Sequence, residues 1–477
     1  MIHFGTGGWR AIIGDDFIRS NIELVCAALV AKMRREGVEQ EGVVIGFDRR
    51  FLSDDAARWC AGTFAAYGVP VKIIEKPAPT PLIMYAVRTG GEPYGLAVTA
   101  SHNPASYNGI KVFTRGGRDA AREVTDELEN EIAAISGTPL RVEYDEGVEK
   151  GLIRTIDPFN SYIDSILAMI DVESIKERHL NVLLDPMHGV SRTCLQTVLL
   201  TCRCSIDVIN DRHDTLFGGH LPSPSSATLH KLADMVVERG YDIGIATDGD
   251  ADRLGIIDEK GNFIHPNDIL VLLYYYLLQY KGWKGPVVRN IATTHLLDRI
   301  AEDFGQICYE VPVGFKWISA KMDETGAVIG GESSGGLTVK GHIDGKDGIF
   351  AASILVEMIC RTGKSLHTML ADIRSRYGDP KTVETNFRLS AEEKDRLQTR
   401  LFQNRELPPY ADEIDRISYL DGLKVYFKND GWIICRFSGT EPLLRIYSEM
   451  PDEASAQRVI GDTTSFLSIR TDKDFVG

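Results

Sequence analysis

Apolar residues recur along this chain with two different periods, and the alternation between them organises its first three quarters. Val43-Val44-Ile45-Gly46-Phe47 is an unbroken apolar run of strand length. Ser53 then reads as a helix cap, and Ala56, Ala57, Cys60, Ala61, Phe64 and Ala65 follow at helical spacing until Gly68. Val71-Lys72-Ile73-Ile74 returns to strand, and Val124, Leu128 and Ile132 mark one face of a later helix ending near Gly137. The same order restarts at Asn181-Val182-Leu183-Leu184-Asp185. It continues through Ile206-Asp207-Val208-Ile209, a helix carrying Leu229, Leu232 and Val236, and a strand over 241–247. A third round runs from Val287-Val288 through the Leu296-Leu297-Ile300 helix, the Ala327-Val328-Ile329 strand and a helix over 349–360. Strands alternating with helices predict largely parallel, mixed sheets covered by helices on both faces.

After Gly378-Asp379-Pro380 the texture changes. Val425-Tyr426-Phe427, Trp432-Ile433-Ile434-Cys435 and Arg445-Ile446-Tyr447 are closely spaced strands, with a helix from about Glu453. The pattern predicts three similar α/β domains over 1–150, 151–258 and 259–377, and a smaller α+β domain over 378–477. A chain of 477 residues is too long for one core, which agrees with that division.

Composition narrows the class without identifying it. The 43% hydrophobic and 25% charged fractions are those of a globular protein, and the net charge of −15 argues against nucleic acid or an anionic membrane as the main partner. The longest apolar run, 269–278, is half a membrane span and reads as a buried helix behind an Asn267-Asp268 cap. Met1-Ile2-His3-Phe4-Gly5 shows no charged region followed by an apolar stretch, so no signal peptide is expected. Eight scattered cysteines lack the paired spacing of a metal site or disulfide framework; free thiols in a cytoplasmic protein are expected.

Candidate chemistry lies at the ends of the predicted strands. Asp248-Gly249-Asp250-Ala251-Asp252-Arg253 follows the 241–247 strand, and its alternate carboxylates project the same way. Three negative charges so close repel unless a hard divalent cation joins them. An EF-hand is the rival, helped by Glu259 at the twelfth position. It fails because Arg253 stands where that turn needs glycine and strands flank the loop. Mg²⁺ is preferred to Ca²⁺, since few protein ligands are present and a phosphate can complete the shell. Ser101, in Thr99-Ala100-Ser101-His102-Asn103-Pro104, follows the apolar Leu96-Ala97-Val98, and Lys111 stands on the next strand. A serine and a cation cage together suggest phosphoryl chemistry. Gly330-Gly331-Glu332-Ser333-Ser334-Gly335-Gly336 offers an acid and hydroxyls between glycines, suited to a sugar. Arg436-Phe437-Ser438-Gly439-Thr440 offers a guanidinium, hydroxyls and backbone N–H groups, suited to a phosphate.

Taken together, these loops resemble the α-D-phosphohexomutase superfamily along essentially the whole chain. The matching stretches are Phe4-Gly5-Thr6-Gly7-Gly8-Trp9-Arg10, the Ser101 and Asp248 motifs, Gly331-Glu332-Ser333-Ser334-Gly335 and the segment from Arg436 to Pro442. The resemblance implies four domains around one cleft, each donating a loop. Ser101 becomes the phosphoserine, and it binds one Mg²⁺ with Asp248, Asp250 and Asp252. Arg10, His102 and Lys111 assist transfer; Arg253, Lys316, Glu332, Ser334, Arg436, Ser438, Gly439 and Thr440 bind sugar phosphate. The implied reaction interconverts hexose 1-phosphate and 6-phosphate through a 1,6-bisphosphate, which also serves as activator. Gly336 stands where some branches carry a histidine used in proton transfer, and 342–348 resembles the phosphoglucomutase segment in which a lysine does so. Lys346 is therefore the expected acid/base, and glucose the expected sugar, with mannose or dual specificity as the alternative. Ser333 departs from a second Glu common in that branch. The partners expected are small sugar phosphates, with the chain a monomer or homodimer. A metal-dependent phosphatase would leave Ser101 and the phosphate loop without a task; a silent sugar-phosphate sensor would need neither Ser101 nor three aspartates.

Overall fold

The computed structural model describes residues 2–5, 8–437 and 443–469. It contains four sheets, one per domain. In the first, Val43–Phe47 lies between Val71–Ile74 and Tyr94–Val98, parallel to both. Tyr107–Thr114 then runs antiparallel to Tyr94–Val98, and Gly8–Ile12 antiparallel to it in turn. All five residues of Val43–Phe47 and of Tyr94–Val98 are buried, which explains their unbroken apolar runs. The second and third sheets repeat the plan on a smaller scale. Asn181–Asp185 is parallel to Ser205–Val208 and Ile243–Thr247, and Val287–Asn290 is parallel to Cys308–Val311 and Ile329–Gly331. Antiparallel strands complete one edge of each. The fourth sheet is five-stranded and antiparallel throughout, with Glu453–Leu467 and Ala391–Gln398 as its helices.

Three local elements are displaced from their sequence signals. Helix Ser53–Ala66 begins one residue earlier than a Ser53 cap requires. Leu52 holds the cap position, while the Ser53 hydroxyl donates to Asp48 Oδ1 at 2.7 Å. Helix Pro266–Gln279 is capped by His265, whose Nδ1 accepts from the Asn267 N–H, not by Asn267 or Asp268. The strand expected over 327–329 starts at its last residue, as Ile329–Gly331.

Ile153–Ile156 pairs in parallel with Val71–Ile74, and Phe263–Ile264 pairs with Leu254–Ile257. We therefore propose domain breaks near 157 and 265, a few residues beyond the 150 and 258 expected from sequence. One continuous apolar core unites much of the first three domains; the fourth has its own core around Phe387, Val425, Ile433 and Val459. Among the described residues, no helix is long and apolar enough to cross a membrane.

Candidate active site

Ser101 lies three residues past the end of strand Tyr94–Val98, in the left-handed region (φ 51°) and buried. Its backbone is held from below. The Ser101 N–H donates to Thr99 Oγ1 at 2.8 Å, and the Thr99 hydroxyl donates to Asp48 Oδ2 at 2.6 Å. Arg50, also buried, donates to the carbonyls of Ser101 (2.6 Å), Asn103 (2.7 Å), Pro104 (2.9 Å) and Tyr107 (3.0 Å). One guanidinium thus gathers four carbonyls of the serine loop. That rigidity keeps an otherwise unfavourable φ in place.

The Ser101 hydroxyl donates to Asp248 Oδ2 at 2.8 Å, across the boundary to the second domain. The carboxylate turn sits between antiparallel strands Ile243–Thr247 and Leu254–Ile257, which removes the EF-hand alternative. It comes this close because Gly249 has no side chain: a Cβ there would lie 2.8 Å from the Ser101 carbonyl oxygen. Asp248, Asp250 and Asp252 are all buried, and each has a carboxylate oxygen within 4.8 Å of the others. Lys111 Nζ bridges Asp250 Oδ2 (2.6 Å) and Asp252 Oδ2 (2.7 Å). Thr80 Oγ1 donates to Asp250 Oδ2 at 2.7 Å, and Lys346 Nζ lies 2.9 Å from Asp252 Oδ2. Among the described residues, Asp250 Oδ1 and Asp252 Oδ1 are buried without hydrogen-bond partners. Burying such oxygens without partners is costly, so two orphans beside Asp248 and Ser101 fit a hard divalent cation.

The electrostatics divide the three carboxyls. Burial, then Asp250 and Asp252, pushes Asp248 well above the ordinary aspartate value. Burial also opposes ionisation of Asp252, but Lys111, Lys346 and Arg253 outweigh it and hold that carboxyl well below. Asp250 is lowered too, since Lys111 and the Thr80 hydroxyl overcome burial and Asp252. His102 is pushed well below the usual imidazole value by burial, then by Arg253 and Arg10, and its Nδ1 lies 3.4 Å from Ser101 Oγ. Arg10 reaches the same loop through Asn103 Oδ1 at 2.6 Å.

The third domain closes the site from the other side. Asp347 caps helix Gly348–Thr362 with one oxygen, while His342 Nε2 and the Tyr162 hydroxyl contact the other at 2.6 Å each. That fixes the backbone next to Lys346. The Lys346 side chain crosses directly over Gly336. A Cβ on Gly336 would fall 2.8 Å from Lys346 Cγ and closer still to Cδ. Glu332 is buried, and its Oε1 accepts from the Gly314 N–H (3.0 Å) and Asn290 Nδ2 (3.2 Å). Ser334 is exposed at the loop tip.

Ser101, His102, Arg10, Lys111, the three aspartates, Arg253 and Lys346 thus come together as one cluster. Arg253 contributes its N–H to Asp248 Oδ1 at 3.0 Å. Lys316 stands apart, at the start of helix Phe315–Thr325, where burial, opposed by Glu123 and aided by Arg122, lowers its pKa. Arg436 belongs to the fourth domain and donates through Nε to Asp421 Oδ2 at 2.9 Å. Ser438, Gly439 and Thr440 lie outside the described residues. Sequence reading missed Arg50, Thr80, Asn290 and Asp421; only Arg50 left a local trace, as part of the charged run Asp48-Arg49-Arg50 closing a strand.

Comparison with known proteins places the whole assembly. Four family models match in order: Phosphoglucomutase/phosphomannomutase, alpha/beta/alpha domain I over residues 1–138, domain II over 160–261, domain III over 265–377, and the C-terminal domain over 384–464. A Thermococcus kodakarensis protein named phosphoglucomutase/phosphomannomutase is 30% identical over 460 residues, covering 96% of each chain. A phosphoglucosamine/phosphogalactosamine mutase of Sulfurisphaera tokodaii is 29% identical, covering 96% of this chain and 97% of its own. Among solved structures, one from Thermus thermophilus, provisionally described as a phosphomannomutase, superposes with a TM-score of 0.84 at 28% identity, covering 98% of this chain and 99% of the other. With a serine against a carboxylate trio, four matched domains and relatives aligned almost end to end, this chain belongs to the phosphoglucomutase/phosphomannomutase family of phosphohexomutases, isomerases that perform intramolecular phosphoryl transfer.

Proposed function

We propose that the chain interconverts a hexose 1-phosphate and the corresponding 6-phosphate, with α-D-glucose the preferred sugar, by way of a phosphoserine at Ser101. The observation that carries this reading is the 2.8 Å contact between Ser101 Oγ and Asp248, beside two orphaned carboxylate oxygens. In the first half-reaction the bond from phosphorus to Ser101 Oγ breaks as a bond to the free sugar hydroxyl forms. That hydroxyl's proton passes to Lys346 Nζ, which must enter the step as the free amine, giving a hexose 1,6-bisphosphate and Ser101 as its alkoxide. After the sugar turns end for end, the other phosphate returns to Ser101 Oγ and the proton goes back to the sugar oxygen. Arg436 grips whichever phosphate is not reacting, and Glu332 accepts from sugar hydroxyls. Lys111 and Arg10 offset charge near the transferring group.

Asp248, Asp250, Asp252 and Ser101 would hold Mg²⁺, which when bound supplies positive charge to the phosphoryl oxygens. Glucose is favoured by the Gly336 and Lys346 combination. The amino-sugar name of the Sulfurisphaera tokodaii relative makes glucosamine a competitor worth assaying beside mannose. Purified protein supplied with glucose, mannose or glucosamine 1-phosphate, each primed by its bisphosphate, should turn glucose 1-phosphate over fastest. Peptide mass mapping should find phosphate on Ser101. A Ser101→Ala variant that retains full turnover would end the phosphoserine reading, and a faster rate with another sugar would reassign the substrate.

A further inference from the structure

Asp421 occupies the bend between strands Ile414–Ser418 and Leu423–Phe427 of the fourth domain. A single oxygen, Oδ2, accepts two hydrogen bonds, from Arg436 Nε and from the backbone N–H of Val313, both at 2.9 Å. The first donor is the penultimate residue of a strand of its own domain, Trp432–Phe437; the second belongs to the third domain, in the turn entering helix Phe315–Thr325. The next residue, Gly314, gives its N–H to Glu332 Oε1 at 3.0 Å. Two consecutive peptide N–H groups therefore bind two carboxylates, one tied to the phosphate-loop arginine and the other in the sugar loop.

We propose that Asp421 is a positioning residue that couples the phosphate grip of Arg436 to the sugar grip of Glu332 through the Val313–Gly314 peptide. This rests on the mutase reading above, in which both grips act on one ligand. Arg436 is held to Asp421 through Nε, and a guanidinium held at Nε can still offer its two Nη groups to a phosphate as a two-point contact. The same carboxylate oxygen fixes where the fourth domain stands relative to Gly314 and hence Glu332. Without Asp421 the two loops become independent, and a ligand that must touch both loses affinity while the chemistry at Ser101 is untouched.

Two variants and two readouts test this. Asp421→Ala should raise KM for glucose 1-phosphate by roughly tenfold, as for loss of a charge-assisted contact, with kcat within about threefold of wild type. Amide hydrogen exchange in the unliganded full chain should quicken over 311–316 and over 330–336. Asp421→Asn keeps one carbonyl oxygen able to accept both N–H groups, so it should restore slow exchange and most of the KM. Unchanged exchange over 311–316 in Asp421→Ala would overturn the coupling. So would faster exchange with a wild-type KM, or an Asp421→Asn variant no better than Asp421→Ala. If the wild-type chain turns over no hexose phosphate, the mutase reading fails separately, and the response of 330–336 to Asp421→Ala alone decides the coupling.

Discussion

Gly336 and the aliphatic stem of Lys346 claim the same volume, since a Cβ at 336 would overlap Lys346 Cγ and Cδ. The glycine is therefore a condition for the lysine reaching Asp252 at 2.9 Å, rather than a gap left by a missing side chain. Two substitutions should then fail in the same way. Lys346→Met removes the proposed proton acceptor and should cut turnover by roughly 10²–10⁴-fold, the range for a positioned acid/base group. Gly336→Ala should approach that loss, because the added methyl pushes the stem off its path. Combining them should cost little beyond Lys346→Met, because both act on one group. Turnover of all three, with Ser101 phosphorylation checked by intact mass, measures the pattern. Near-normal turnover in Lys346→Met would move proton transfer to Lys111 or to His102 and weaken the glucose assignment.

Among elements, the turn between Ile243–Thr247 and Leu254–Ile257 shows what local sequence can and cannot reveal. Alternate carboxylates after an apolar run need no tertiary knowledge to suggest a cation, and the same holds for Ser101 behind Leu96-Ala97-Val98. The fully buried central strands were legible for a similar reason, because burial on both faces forces continuous apolar sequence. Ile153–Ile156 was not legible, because Arg154 and Thr155 are exposed on a short edge strand. Thr80 and Arg50 were equally silent. Thr80 meets Asp250 from 170 residues away, and Arg50 meets the Ser101 carbonyl from 51, so no short-range periodicity encodes either contact. Caps failed where a longer-range partner competed, as Asp48 does for the Ser53 hydroxyl. Thr80 also sharpens the metal prediction. Asp250 Oδ2 is taken by Lys111 and Thr80, which leaves Oδ1 for the cation. Asp250→Asn either offers its only carbonyl to the cation, turning an NH₂ toward the ammonium, or keeps Lys111 and loses the ligand. Chelation should abolish wild-type turnover and Mg²⁺ restore it, and the variant should need about tenfold more free Mg²⁺ for half-maximal rate. Turnover that survives exhaustive chelation would make the trio structural.

Across the whole molecule, apolar packing joins the first three domains, whereas the joint of the fourth with the third also buries charge. Beside a small apolar contact of Ile291 with Tyr426, Trp432 and Ile434, Lys424 is fully buried. Its Nζ lies 2.7 Å from the Ile291 carbonyl, 2.8 Å from Glu310 Oε2 and 3.0 Å from His295 Nε2. Glu310 also accepts from Arg289 Nη1 at 2.7 Å and from the Tyr426 hydroxyl. One carboxylate thus serves two buried cations. Burial, and next to it Arg289, pushes Lys424 down from 10.5 to about 7 despite Glu310, and burial likewise lowers His295 to about 4. The sign follows from linkage. A lysine whose folded value lies below its unfolded one binds its proton more weakly when folded, so it subtracts stability as pH falls from about 10.5 to about 7, and no further below that. The slope in that window is at most about 1.4 kcal/mol per pH unit. Lys424→Met removes the titrating group, so wild type should gain on the variant as pH rises from 7 to 9, whatever their order at pH 7. Urea unfolding of both full-length proteins at the two values measures the difference. A gap that is flat with pH would mean that Glu310 keeps Lys424 charged throughout, and that the joint between third and fourth domains is held by a permanent ion pair.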